Sequence, residues 1–141
     1  MSEHTARENY LKAILSIKDK KGYVRSIDIA NELSVSRPSV SYATKQLRED
    51  GLITVNDDGM ITLTDEGKSI AKNVQEKYNT LSQFFINLGV EEEMAKEDAH
   101  RIEHDISQES FDALLKFISS CGVLASKKKG HCKNKCEDCE E

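Results

Sequence analysis

Residues 24–64 read VRSIDIANELSVSRPSVSYATKQLREDGLITVNDDGMITLT, and few folds accept that order of local signals. Ser26 stands where a helix N-cap is wanted, and Ile27, Ala30 and Leu33 then recur at helical spacing. The stretch SVS predicts a turn. Ser36 offers a second cap, Pro38 is tolerated in the first turn of the helix that follows, and Val40, Thr44 and Leu47 fall on one face of it. Two short helices joined this way form a helix-turn-helix, whose second member can enter a major groove. LITVNDDGMITLT follows at once, two β-rich stretches around an Asp-Gly turn that favours positive φ, which predicts a hairpin. A hairpin directly behind a recognition helix is a wing. The competing reading is a small helical domain with an incidental hairpin; the agreement of cap, turn and hairpin favours the winged helix.

The flanking sequence is helical. Thr5 facing Glu8 predicts a capping box, and Tyr10, Leu11, Ile14, Leu15 and Ile17 follow at helical spacing until Gly22. From Asp65 a long helix of about 24 residues carries the stripe Ile70, Val74, Tyr78, Leu81, Phe84, Phe85 and Leu88 and stops at Gly89. An acidic helix is expected over 91–105. Ser107 then caps a last helix with Phe111, Leu114, Leu115 and Ile118 on its apolar side, closed by Gly122. These stripes read as core or dimer seam. The predicted fold class is therefore mostly α with a small β-hairpin wing: a winged helix-turn-helix over 1–72, a helical region for sensing and dimerisation over 73–125, and a Cys/Lys-rich tail over 126–141 that lacks an apolar pattern of its own.

Composition narrows the partners. The 141 residues carry a net charge of −5, which argues against a surface that binds polyanions everywhere. The charge is uneven: residues 1–72 hold 11 Lys+Arg against 11 Asp+Glu, and residues 73–141 hold 9 against 14, so a local basic face remains open to the first half. There is no run of about 18 apolar residues for a membrane span, and MSEHTAREN lacks the apolar stretch of a signal peptide, so a cytoplasmic protein without a membrane partner is expected.

On the expected recognition helix Arg37, Ser39, Ser41, Tyr42 and Lys45 point away from the Val40, Thr44 and Leu47 face, with Ser36 and Pro38 at its start. Short hydroxyls let a helix backbone approach a groove closely. Arg37 suits guanine or phosphate, Ser39 and Ser41 suit base edges or backbone, and Lys45 suits phosphate. The plain alternative is a solvated helix face. Asn56, Asp57 and Asp58 at the wing tip carry negative charge, so this wing is expected to add little to phosphate binding.

HRIEHDIS, residues 100–107, sets His100, Glu103 and His104 at i, i+3 and i+4, spacing that puts three metal donors on one helix face. HRIEH also satisfies H-x-x-E-H, a protease motif in which the histidines hold zinc and the glutamate is the general base. A protease needs a further downstream ligand, an open metal position and a cleft, whereas here a DNA-binding module precedes the cluster. A charged helix face without a ligand is the other alternative. A metal-sensing site is favoured.

The winged helix, the long linking helix, FFINLGVEEE and HRIEHDIS together resemble the metal-dependent repressors of the diphtheria toxin repressor and manganese transport regulator family, in its short two-domain form, over residues 5 to about 120. The resemblance implies a homodimer that binds double-stranded operator DNA when iron or manganese is loaded, a repressor of metal-uptake genes, with no enzymatic activity and no small organic substrate. It implies ligands at His100, Glu103 and His104, with further ones from the first helix and the start of the long helix. Those positions fall on Asn9 and Lys12 and on Tyr78, which leaves a second metal position unsupported: Asn9 offers a neutral carbonyl oxygen, and protonated Lys12 cannot ligate. A single site poor in carboxylate suits iron(II) first, with zinc or manganese as alternatives.

All four cysteines lie in the last 21 residues. His131, Cys132, Cys136 and Cys139, with Cys121 further back, have the ligand types for zinc or an iron–sulfur cluster, and the neighbouring lysines favour thiolate. A scavenging tail or a surface thiol trap are the alternatives. This tail defines the competing function, a metal-independent winged-helix regulator with a redox or soft-metal input.

Overall fold

The computed structural model describes residues 3–121, in the order α1 (Glu3–Lys21), α2 (Ser26–Leu33), α3 (Arg37–Glu49), β1 (Ile53–Val55), β2 (Ile61–Leu63), α4 (Asp65–Asn87), α5 (Glu92–Ile102) and α6 (Gln108–Cys121). This is the mostly helical winged fold that the sequence predicts. The described residues form two compact units that divide between Glu76 and Lys77, inside α4.

The first unit is built on α1. Its residues Leu11, Ile14, Leu15 and Ile17 are buried together with Val24, Ile29, Val40, Leu47, Ile53 and Ile61, and α1 lies against α2, α3 and β2. Leu11, Ile14, Ile29 and Val40 are almost fully removed from water, each contributing about 1.5–3 kcal/mol relative to an exposed side chain. The period-3.6 pattern of α1 thus meets the inward faces of both helix-turn-helix elements and holds the recognition helix from behind.

Local chemistry decides the helix ends. Ser36 is the N-cap of α3: its hydroxyl accepts from the Ser39 amide at 3.3 Å, and Pro38 sits in the first turn as expected. Two expected caps differ. The first helix already includes Glu3, ahead of Thr5, so Thr5 lies inside the first turn; an ion pair one turn apart, His4 Nε2 to Glu8 Oε1 at 3.3 Å, supports that earlier turn. In α2 the cap is Arg25 rather than Ser26. The Asp28 carboxylate reaches back to accept the Arg25 amide at 2.9 Å and takes Lys21 Nζ at 2.6 Å, so no hydroxyl is needed.

The wing is a short antiparallel pair with register Ile53↔Leu63, Thr54↔Thr62 and Val55↔Ile61. Asn56 donates its amide to the Met60 carbonyl and accepts the Gly59 amide, both at 3.0 Å; Gly59 takes φ 78°. That is a tight loop closed by one left-handed residue, the position for which glycine is suited. The Ile61 amide also bonds the Val24 carbonyl at 2.8 Å, tying the wing to the segment before α2.

Behind the wing Thr64 links hairpin to α4. Its amide bonds Leu52 O at 3.0 Å, its hydroxyl donates to Gly51 O at 2.8 Å and accepts the Gly67 amide at 3.2 Å. Gly67 runs so close to Leu52 that a Cβ there would collide with the Leu52 carbonyl oxygen. In the second unit α4 stops as predicted: the Val90 amide bonds Phe85 O at 3.0 Å and the Gly89 amide bonds Ile86 O at 3.0 Å. Ser107 caps α6 as predicted, its hydroxyl accepting the Ser110 amide at 3.1 Å, and Phe111 and Ile118 are fully buried.

Two measurements check this account. Gly67→Ala, although alanine is the better helix former, is expected to lower stability by about 1–3 kcal/mol in chemical denaturation, because the obstructing atom is backbone. The hydrogen bond from Lys21 holds the Asp28 carboxyl below its ordinary range, helped by the Arg25 amide. A carboxyl lowered by folding stabilises above its unfolded pKa and loses that share as pH falls from about 4 through the folded value. Asp28→Asn should therefore cost about 1 kcal/mol at neutral pH, the usual worth of a helix cap, and flatten the acid limb of a stability–pH curve.

Candidate metal centre and nucleic-acid interface

All seven residues proposed from sequence for the nucleic-acid face are exposed: Ser36, Arg37, Pro38, Ser39, Ser41, Tyr42 and Lys45. Val40 and Leu47 are buried on the opposite side of α3, and the half-buried Thr44 donates its hydroxyl to Val40 O at 2.8 Å, so the polar hydroxyl on the inner face is satisfied. Three-residue steps along α3 therefore leave a surface of small residues broken by Arg37, Tyr42 and Lys45. Asp57 and Asp58 at the wing tip are exposed as well, which sets negative charge at the end of the wing.

In the second unit α5 brings the cluster together, with one change of detail. The helix expected over 91–105 spans Glu92–Ile102; Glu103 caps it in helical conformation, φ −53° and ψ −28°, its amide bonded to Ala99 O at 2.9 Å. The amides of Asp105 and Ile106 both bond Ile102 O, at 2.9 and 3.0 Å, and the chain bends there toward the Ser107 cap. His104 thus stands just past the helix. Because Glu103 keeps the helical turn, the i, i+3, i+4 arrangement survives.

The Glu103 side chain is completely buried, His104 is 4% exposed and His100 is 54% exposed. Both imidazoles approach the same carboxylate oxygen: His100 Nδ1 at 2.9 Å and His104 Nε2 at 3.1 Å from Glu103 Oε1. The rings stand edge to face, centroids 5.6 Å apart. The His100 contact is a hydrogen bond whose donor and acceptor roles follow the ring tautomer, and the His104 contact is an approach of ring nitrogen to carboxylate. One ligand atom from each of the three residues lies within 4.8 Å of the other two, and this is the one such group of three His, Cys, Asp or Glu side chains among the described residues. Donors bound at about 2.1 Å to one cation stand about 3–4 Å apart, so the set fits a borderline divalent ion.

Asn9 and Lys12 are half-buried on α1 in the first unit; Tyr78 is half-buried on α4 in the second. His131, Cys132, Cys136 and Cys139 lie outside the described residues, as does the side chain of Cys121. One contributor was invisible in sequence. Lys77 donates to the Ile106 carbonyl at 3.5 Å, propping the turn that follows the cluster; the two are separated by 29 positions, and no local pattern links them.

Two family models cover almost all of the described chain. "Iron dependent repressor, N-terminal DNA binding domain" matches residues 4–60, and "Iron dependent repressor, metal binding and dimerisation domain" matches residues 64–123. The chain belongs to the iron-dependent repressor family of metal-dependent transcriptional regulators. It is 34% identical over 118 residues to the transcriptional regulator MntR of Salmonella typhimurium, covering 84% of this chain and 75% of that one. The HTH-type transcriptional regulator MntR of Bacillus subtilis is 34% identical over 107 residues, 76% of this chain and 75% of that one. Among solved structures the manganese regulator SloR superposes with TM-score 0.71 at 28% identity, over 80% of this chain and 53% of SloR; this chain thus spans about half the length of that structure. Both halves of this family pattern belong to regulators, so the protease reading of H-x-x-E-H is set aside. The cluster falls inside the metal-binding and dimerisation match, and α3 inside the DNA-binding match.

The burial of Glu103 has a measurable consequence. In chelator-treated protein Glu103→Ala leaves two imidazoles without their shared acceptor and opens a cavity, so the second unit should lose about 2–3 kcal/mol in thermal unfolding. Glu103→Gln, which keeps the shape and an acceptor oxygen, should lose less.

Proposed function

We propose that this protein is a cytoplasmic, homodimeric repressor that reads operator DNA with α3 and senses a divalent metal through His100, Glu103 and His104. The single observation that carries the reading is the convergence of two imidazole nitrogens on one buried carboxylate oxygen, within the segment matched as metal-binding. Ser36, Arg37, Pro38, Ser39, Ser41, Tyr42 and Lys45 supply the DNA face, residues 1–72 the reading head, and 73–125 the sensing and dimerising part. No described helix is long and apolar enough to cross a membrane.

Two imidazoles and one carboxylate suit iron(II), zinc or cobalt better than manganese, since manganese binds weakest in the divalent series and prefers more oxygen donors. The bound cation would supply positive charge beside the buried Glu103 carboxylate. Each ligand must contribute, because shifting a two-state regulator from 1:99 to 99:1 takes a preference of about 10⁴, or ~5.5 kcal/mol.

His104→Ala is expected to abolish metal-dependent operator binding in a gel-shift titration while the circular dichroism spectrum and dimer mass stay unchanged; Asn9→Ala, run beside it, reports whether α1 donates a ligand. Equal DNA affinity with metal and with chelator in the wild-type protein would instead select the metal-independent regulator.

A further inference from the structure

We propose that Tyr42 is a specificity-determining residue of the recognition helix and that its ring reads the 5-methyl group of a thymine in the major groove. The inference rests on the reading of α3 as the DNA-binding element and goes beyond it by assigning one base feature to one side chain.

The argument starts from the helix itself. Successive residues turn by about 100°, so Leu47 lies within about 20° of Val40, and these two define the buried side of α3. The outermost line of the helix, about 170° from Val40, runs between Tyr42 at about 200° and Lys45 at about 140°, close to Pro38, whereas Arg37 and Ser41 fall on one flank and Ser39 and Gln46 on the other. A helix seated in a major groove turns its outermost line to the base edges and its flanks to the phosphate walls. Tyr42 therefore faces bases, and Arg37 is better placed for a strand backbone. Tyr42 is also within two turns of the α3 N-terminus, the end that reaches base edges in helix-turn-helix proteins.

Its surroundings make the ring protrude. Pro38, Ser39 and Ser41 are short and exposed, and Tyr42 keeps 66% of its surface in water, more than any other large hydrophobic side chain among the described residues. The ring carries no charge to attract phosphate, and the major-groove floor presents one apolar group, the thymine methyl. Burying that methyl against the ring contributes about 0.8 kcal/mol, or about fourfold in affinity.

The test uses the full chain loaded with iron(II) under anoxic conditions and a duplex that the wild-type protein selects from a random library. Thymines are replaced one at a time by deoxyuridine, which removes only the methyl. Wild-type protein is expected to lose about fourfold in affinity at one position per half-site. Tyr42→Ala should bind the unmodified duplex more weakly and become indifferent to deoxyuridine at that position, whereas Tyr42→Phe should retain the wild-type penalty. The slope of affinity against salt should stay the same for Tyr42→Ala and fall by about one for Arg37→Ala. A deoxyuridine profile shared by Tyr42→Ala and wild type overturns the assignment, as does a Tyr42→Phe variant as defective as alanine. A wild-type protein that selects no duplex overturns the DNA reading beneath it as well.

Discussion

A carboxylate taken wholly out of water must be given partners, and Glu103 meets that demand with two imidazoles on a single oxygen. Everything about the second unit's chemistry follows from this arrangement. Burial removes the competing water, the end of α5 supplies the spacing, and the turn after Ile102 brings His104 in beside it. The side chains gathered at Glu103 are of the types that could hold a metal ion.

The first unit solves a different problem, presenting a helix without letting it move. α3 is held from behind by α1, capped at its start by Ser36, and continued into the wing whose Thr64 hydroxyl joins Gly51 to the α4 amide of Gly67. The outward face is left with short side chains, one exposed aromatic ring and two cations, and the wing tip with acidic ones. Charge on this unit is balanced, 11 Lys+Arg against 11 Asp+Glu over residues 1–72, so it has no bulk attraction for polyanions.

Much of this was legible in the residues in order. The helix-turn-helix, the hairpin, the Ser36 and Ser107 caps and the stop at Gly89 depend on interactions within a few positions of one another, and such signals survive folding unchanged. The resemblance carried the reading from a plausible metal cluster to a metal-dependent regulator, and the matched family domains agree with it. Thr5 is no cap because α1 begins ahead of it, and Ser26 is none because a hydroxyl near a helix start caps only where no better acceptor stands. Asp28 was that better acceptor for α2, positioned three residues further on with Lys21 against it. The last turn of α5 was lost for a related reason, since two amides compete for the carbonyl of Ile102.

By itself the sequence determined which elements form and which residue types are gathered at 100–104, because periodicity, capping and ligand spacing are properties of neighbours along the chain. Only the tertiary structure decided that Glu103 is buried while His100 remains half in water, that Lys77 supports the turn beyond them, and that Gly67 must be glycine under the Leu52 carbonyl. Burial and close approach join residues far apart in sequence, and no local pattern encodes how much water remains around a side chain once those distant parts have met.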